Sequence, residues 1–134
     1  MALPTPIPKD DPRQLRVLFE RAALCSRAHK VWCVFIGVAG EEGDLIARDF
    51  LDFVESELRV EDSIFRMLRE RAVLLMTDID ERTARQVMER LSADFASRFG
   101  PSAELPFTFG YFAVPPGQTP TVKDVLPALF PAQN

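Results

Sequence analysis

Apolar residues keep two rhythms along the chain, and the switches between them outline the fold. Leu15, Leu18, Phe19, Ala22 and Cys25 recur at the i, i+3, i+4 spacing of one helix face, which predicts an amphipathic helix over 13–29. Asp11-Pro12 ahead of it reads as an N-cap followed by proline at the first helical position. Val31 to Val38 (VWCVFIGV) is instead an unbroken apolar run rich in β-branched and aromatic residues, predicting a buried central strand with Trp32 in the core. Gly37, Gly40 and Gly43 with Glu41-Glu42 mark a turn, and Ile46, Phe50, Phe53 and Val54 resume the helical rhythm over 44–58. Two β-rich runs, SIFRML and AVLLM, then flank the charged tripeptide Arg69-Glu70-Arg71. Short apolar runs around a polar connector predict a β-hairpin, with strands near 62–68 and 72–77.

Beyond the hairpin, Asp78 or Asp80 caps a helix of about 80–98, with Ala84, Val87, Met88, Leu91 and Phe95 on one face and Gly100-Pro101 at its end. Residues 106–114 (PFTFGYFAV) form a last strand, broken by Pro115-Pro116-Gly117, and a short helix runs from Thr121 towards Phe130. After the first helix the order is β-α-β-β-α-β, the split βαβ arrangement of ferredoxin-like folds. The expectation is a mixed α/β domain of four strands with helices over one face. Pro4, Pro6, Pro8 and Pro12 make residues 1–12 an extended arm, leaving 13–134 as a single domain.

Composition narrows the partners. At 134 residues the chain can bury a core, and 47% apolar with 27% charged residues is ordinary for a soluble globular protein. A net charge of −4 argues against nucleic-acid binding by charge. Thirteen of the sixteen basic residues are Arg, a bias that suits bidentate recognition of phosphate or guanine and that equally follows from a GC-rich genome. Cys25 and Cys33 lack metal-ligand spacing and read as buried thiols of a reducing compartment. No apolar run approaches the roughly 18 residues of a membrane span, and the N-terminus shows no signal-peptide core, so the expected location is the cytoplasm.

Candidate chemistry is sparse. Arg59 and Asp62, three apart at the mouth of the first hairpin strand, are the one polar arrangement that points to a ligand. The lone histidine, His29, lies near a helix C-terminus with no Ser or Cys partner and reads as a surface group on the helix dipole. Arg82, Arg85 and Arg90 with Glu81 and Glu89 read as a solvated helix face. Phe107, Phe109, Tyr111 and Phe112 read as sheet core, or as an adhesive surface if that face is open.

In order and spacing the chain resembles a degenerate GGDEF domain, the diguanylate cyclase family of bacterial signalling, over most of residues 31–113. VWCVFIGV resembles the family's first strand, and Gly43-Asp44-Leu45 the Gly-Asp opening of its next helix. Arg59-Val60-Glu61-Asp62 resembles the Arg-x-x-Asp motif, Arg66 the frequent Arg before the signature, and Thr108-Phe109-Gly110 a later Ser-x-Gly. Leu68-Arg69-Glu70-Arg71-Ala72 stands where the Gly-Gly-Asp-Glu-Phe turn should be. There the two glycines that allow close nucleotide approach are replaced, and Arg71 reverses an acidic position. No Asp lies between Val31 and Glu42 to hold metal, and the family's early Asp-x-Leu-Thr-Gly and its Phe-Lys and Asn-Asp substrate positions have no counterpart.

Phosphoryl transfer needs metals and a phosphate cradle together, so the resemblance implies a domain that is not an enzyme and carries neither metal nor cofactor. It also implies a retained inhibitory-site motif, which in the family binds cyclic di-GMP. Arg59 and Asp62 keep the family spacing, and an ungapped count places the third member, from the following helix, at Arg90. Arginine offers a donor fork to guanine or phosphate, and a carboxylate accepts from guanine N–H groups. The reading is a cyclic di-GMP receptor, a monomer or weak homodimer, passing its signal to an unidentified protein partner. The alternative is a ligand-independent interaction or dimerisation module on an emptied cyclase fold.

Overall fold

The computed structural model describes residues 10–41, 45–68, 70–99 and 107–131. The elements run α1 (Arg13–Arg27), β1 (Cys33–Ala39), α2 (Leu45–Glu57), β2 (Ser63–Leu68), β3 (Arg71–Thr77), α3 (Glu81–Phe99), β4 (Thr108–Val114) and α4 (Val122–Leu129). The strands form one sheet in the order β2-β3-β1-β4, every neighbour antiparallel, as a ferredoxin-like βαββαβ chain requires.

Caps fall where short polar side chains allow them. The Asp11 carboxylate accepts the Arg13 backbone N–H at 2.9 Å, and Asp80 Oδ1 accepts that of Thr83 at 2.8 Å, which identifies Asp80 rather than Asp78 as the cap of α3. Thr121 Oγ1 caps α4 through the Asp124 N–H at 3.3 Å. The hairpin is tighter than expected. Arg71 already pairs with Leu68 as part of β3, and the register shifts between Arg66 and Leu68. Gly43-Asp44, Arg69, Gly100-Pro101 and residues 1–9 of the arm lie outside the described residues.

All seven residues of β1 are buried, because the strand is central and covered from both sides. Val34, Ile36 and Val38 point into a core with Phe50, Val54, Met88 and Phe95 of α2 and α3. Cys33 and Phe35 point the other way, onto Leu18 of α1 and Val125 and Leu129 of α4. Helices on one face only is therefore corrected to two on each face. An uninterrupted apolar strand would otherwise leave alternate side chains in water.

Aromatic packing holds the α2–α3 layer. Phe50 stacks on Phe107 at 4.4 Å between centroids and meets Phe95 edge-on at 5.3 Å. On the opposite face Gly37 and Gly110 are cross-strand partners. A Cβ at Gly37 would lie 2.7 Å from Leu129 Cβ, and one at Gly110 would overlap the Leu129 backbone, so α4 rests directly on the sheet.

Trp32 is not core; it is 44% exposed. The ladder between β1 and β3 ends at Cys33 opposite Thr77, and Asp78 turns into the left-handed region (φ 56°). One bond, from Ile79 N–H to Trp32 O (3.2 Å), carries on past the sheet, which leaves the indole at its margin.

Candidate functional site

The chain leaving α2 folds back on itself before entering β2. Asp62 N–H donates to Arg59 O at 3.0 Å, and Asp62 Oδ2 accepts the Arg59 backbone N–H at 3.0 Å. The same carboxylate takes the guanidinium edge, with Nε 3.1 Å from Oδ2 and Nη2 2.9 Å from Oδ1. Arg59 Nη2 also donates to Thr77 O, the last residue of β3, at 2.9 Å, and Nη1 lies 3.4 Å from Glu61 Oε1. Thr77 Oγ1 returns a bond to Glu61 O at 3.3 Å. The Asp62 side chain is 3% exposed and that of Arg59 45%, so a buried carboxylate holds a half-exposed cation. These bonds, Asp62 foremost, raise the Arg59 pKa above its ordinary value and keep it charged.

This loop forms one wall of a groove of about 310 Å³. The other wall is one face of α3, where Thr83, Val87, Arg90 and Asp94 follow at helical spacing, with Leu91 alongside. Met76, Ile79 and Leu58 contribute apolar floor, and Glu57 closes the α2 end. Arg59, Asp62 and Arg90 thus line a single groove. Arg90 is exposed and forms no ion pair among the described residues. The Arg59 fork is not open as its residue type alone suggests: the Nε/Nη2 edge is closed on Asp62 and Nη1 lies beside Glu61, which leaves the guanidinium plane. Asp94 and Glu57 are groove residues that motif reading misses. For Asp94 the available signal is its position one turn beyond Arg90.

Elsewhere the expected positions carry structural roles. Arg66 Nη1 bonds Asp52 Oδ1 at 3.0 Å and Glu55 Oε1 at 3.1 Å, tying β2 to α2. In the turn, Glu70 is 7% exposed and its carbonyl accepts the Gly40 N–H at 2.8 Å, while Arg71 lies over the Phe130 ring at 5.9 Å. Arg85 pairs with Glu81 (3.0 Å) and covers Tyr111 at 4.2 Å. His29 is exposed at the end of α1. Cys33 is buried and Cys25 half-buried, and neither forms a disulfide. Burial pushes the Cys33 thiol up to about 12. Among the described residues no three His, Cys, Asp or Glu side chains are placed to share a metal ion, and no helix is long and apolar enough to cross a membrane.

The strand order, the helix layers and the hairpin at the sheet edge define a GGDEF-like fold. Among solved structures the chain is similar to PelD 156-455 from Pseudomonas aeruginosa PA14 in complex with c-di-GMP, at 20% identity and TM-score 0.63, over 81% of this chain and 41% of that one. It is similar to PelD 158-CT from P. aeruginosa PAO1 at 20% identity and TM-score 0.60, over 84% of this chain and 42% of that one. A DGC protein from Thermotoga maritima matches at 18% identity and TM-score 0.55, over 77% of this chain and 76% of that one. The chain therefore spans about two fifths of the length of the PelD structures. No family model matches the sequence, and no curated protein matches it. At these identities the likeness is one of fold.

Proposed function

We propose that the protein is a cyclic di-GMP receptor on a GGDEF-like fold, without cyclase activity. The observation that carries this reading is the groove that gathers Arg59, Asp62 and Arg90 against an apolar floor. The PelD complex with c-di-GMP, which shares the fold, supports it. A groove of about 310 Å³ suits one guanine and its neighbouring phosphate. The remainder of the ligand then lies outside, open to a second ligand molecule or a second protein. The charged Arg59 presents its guanidinium plane, while Arg90, unpaired among the described residues, brings its fork. In this reading the protein acts in the cytoplasm, as a monomer or weak homodimer, and relays occupancy to a protein partner.

Calorimetric titration of the chain with cyclic di-GMP tests it. The expected dissociation constant is micromolar or tighter, about −8 kcal/mol. Absence of heat at several hundred micromolar ligand overturns the reading.

One observation favours a second reading. The bonds among Arg59, Asp62 and Thr77 tie the loop after α2 to β2 and β3, as a purely structural clip would. On a ligand-independent interaction module the clip remains and the titration is silent.

A further inference from the structure

The sheet ends on two edges of different character. β2 is guarded: its register shifts between Arg66 and Leu68, and Arg66 is tied to Asp52 and Glu55 of α2. β4, at the other end, runs TFGYFAV in unbroken register with β1, without charge, proline or bulge. Phe109, Tyr111 and Phe112 along it are half-buried. A long, uncharged, apolar edge is a template for another strand.

The direction of the ladder bonds tells which groups that edge offers. In an antiparallel sheet the N–H and C=O of one residue point to the same neighbouring strand, and those of the next residue point the other way. Gly40 N–H donates to Glu70 O at 2.8 Å, and Trp32 O accepts the Ile79 N–H at 3.2 Å, so the even-numbered residues of this stretch face β3. Cys33, Phe35, Gly37 and Ala39 then face β4 and pair with Val114, Phe112, Gly110 and Thr108. Phe109, Tyr111 and Ala113 therefore aim their backbone groups away from the sheet, and no other described residue bonds to them.

We propose that β4 pairs antiparallel with β4 of a second copy of this chain, about a two-fold axis at Tyr111. That register sets Tyr111 opposite Tyr111 of the second copy and Phe109 opposite its Ala113, so every outward N–H and C=O finds a partner. On the other face Phe112 falls across from Gly110, a ring beside the one position of the strand without a side chain, and Thr108 across from Val114. No charges meet. Pairing β4 with β2 of another copy would instead bring in the bulge and the Arg66 cluster, and would leave an open chain of molecules.

The helix layer fits the same arrangement. Leu129 lies against both Gly37 and Gly110, so the end of α4 straddles β1 and β4. Its counterpart across the axis would stand about two strand spacings away, roughly 10 Å, the distance at which helices pack. A pair of seven-residue strands is small for an interface, so the dimer is weak, with a dissociation constant in the micromolar range. This gives the weak homodimer of the receptor reading its surface, and it does not depend on the ligand.

Sedimentation velocity of the full, ligand-free chain from low to several hundred micromolar tests the pairing. The average mass should rise from monomer towards dimer and stop there. Ala113→Pro removes an outward donor while sparing the bonds to β1, and should move that transition to about tenfold higher concentration or more. In a Cys25→Ser background, Tyr111→Cys should form a disulfide-linked dimer on mild oxidation, because the axis puts the residue opposite itself with Cα atoms about 5.5 Å apart. Thr108→Cys, exposed but distant from its own counterpart in this register, should stay unlinked. A wild type that remains monomeric at several hundred micromolar, or that grows past a dimer, overturns the proposal. So does a dimer that fails to link through Tyr111→Cys, or that links through Thr108→Cys instead. None of these results bears on the cyclic di-GMP titration, which reads the groove beside α3.

Discussion

The guanidinium of Arg59 meets the carboxylate of Asp62 edge to edge, with Nε 3.1 Å from one oxygen and Nη2 2.9 Å from the other. The pair is as much a part of the fold as of a site, because Asp62 is buried and the same guanidinium reaches Thr77 O. Arg90 has no such ties among the described residues. Arg59→Ala is therefore expected to lower unfolding free energy by about 1–3 kcal/mol, stranding a buried carboxylate, and to weaken cyclic di-GMP at least tenfold. Arg59→Lys cannot restore a bidentate geometry and should recover little. Arg90→Ala should weaken the ligand by a similar factor while stability stays within about 0.5 kcal/mol. Urea denaturation beside calorimetry separates the two. Equal stability losses at both positions would contradict this division of roles.

Incubation with GTP and Mg²⁺ or Mn²⁺ should yield no cyclic di-GMP. Glu70 is the only acid in the turn, and it is 7% exposed. Chromatography of the nucleotides checks this. Product that disappears in Glu70→Ala would mean the turn is catalytic after all, and product that persists would place catalysis elsewhere.

Gly110→Ala should destabilise the fold by about 1–3 kcal/mol, an overpacking penalty, because its Cβ falls on the Leu129 backbone. Ligand affinity, read on the opposite face of the sheet, should hardly change. A thermal midpoint equal to the wild type's would show that α4 yields freely at its end.

The Cys33 thiol is held up at about 12 by burial, with the Cys25 charge adding to the shift. In the unfolded chain it ionises near 8.5. The folded state thus keeps a proton that the unfolded state loses, and stability is full below that value and falls as pH rises from there towards 12. Native protein at pH 8 should leave Cys33 unmodified by a thiol reagent until denaturant is added. Rapid labelling of Cys33 in the native state would contradict its burial.

Periodicity alone locates α1, α2 and α3, because each commits a full apolar face at 3.6-residue spacing. The run VWCVFIGV announces a central strand, and its lack of polar alternation already demands cover on both sides. The short, proline-containing α4 hides that second layer, since eight residues carry little periodic signal. Trp32 reads as core by type, yet position along a ladder decides burial, and the ladder stops one residue later. Spacing against a known motif picks out Arg59, Asp62 and Arg90, which all line the groove. That Asp62 spends its oxygens on Arg59 is a matter of three-dimensional closure, invisible in a string of letters. Asp94 escapes notice because an acid on a helix surface is commonplace until the folded chain places it in the groove.

The seat of α4 on the two glycines also bears on timing. The buried residues of the α2–α3 core run only from Val34 to Phe95, with their β4 neighbours complete at Ala113. During synthesis that half, with the groove, emerges ahead of residues 122–129. The other half has α1 over β2 and β3 but waits for α4 to cover β1 and β4. A nascent chain paused there would carry the groove on one side and a half-covered apolar sheet on the other.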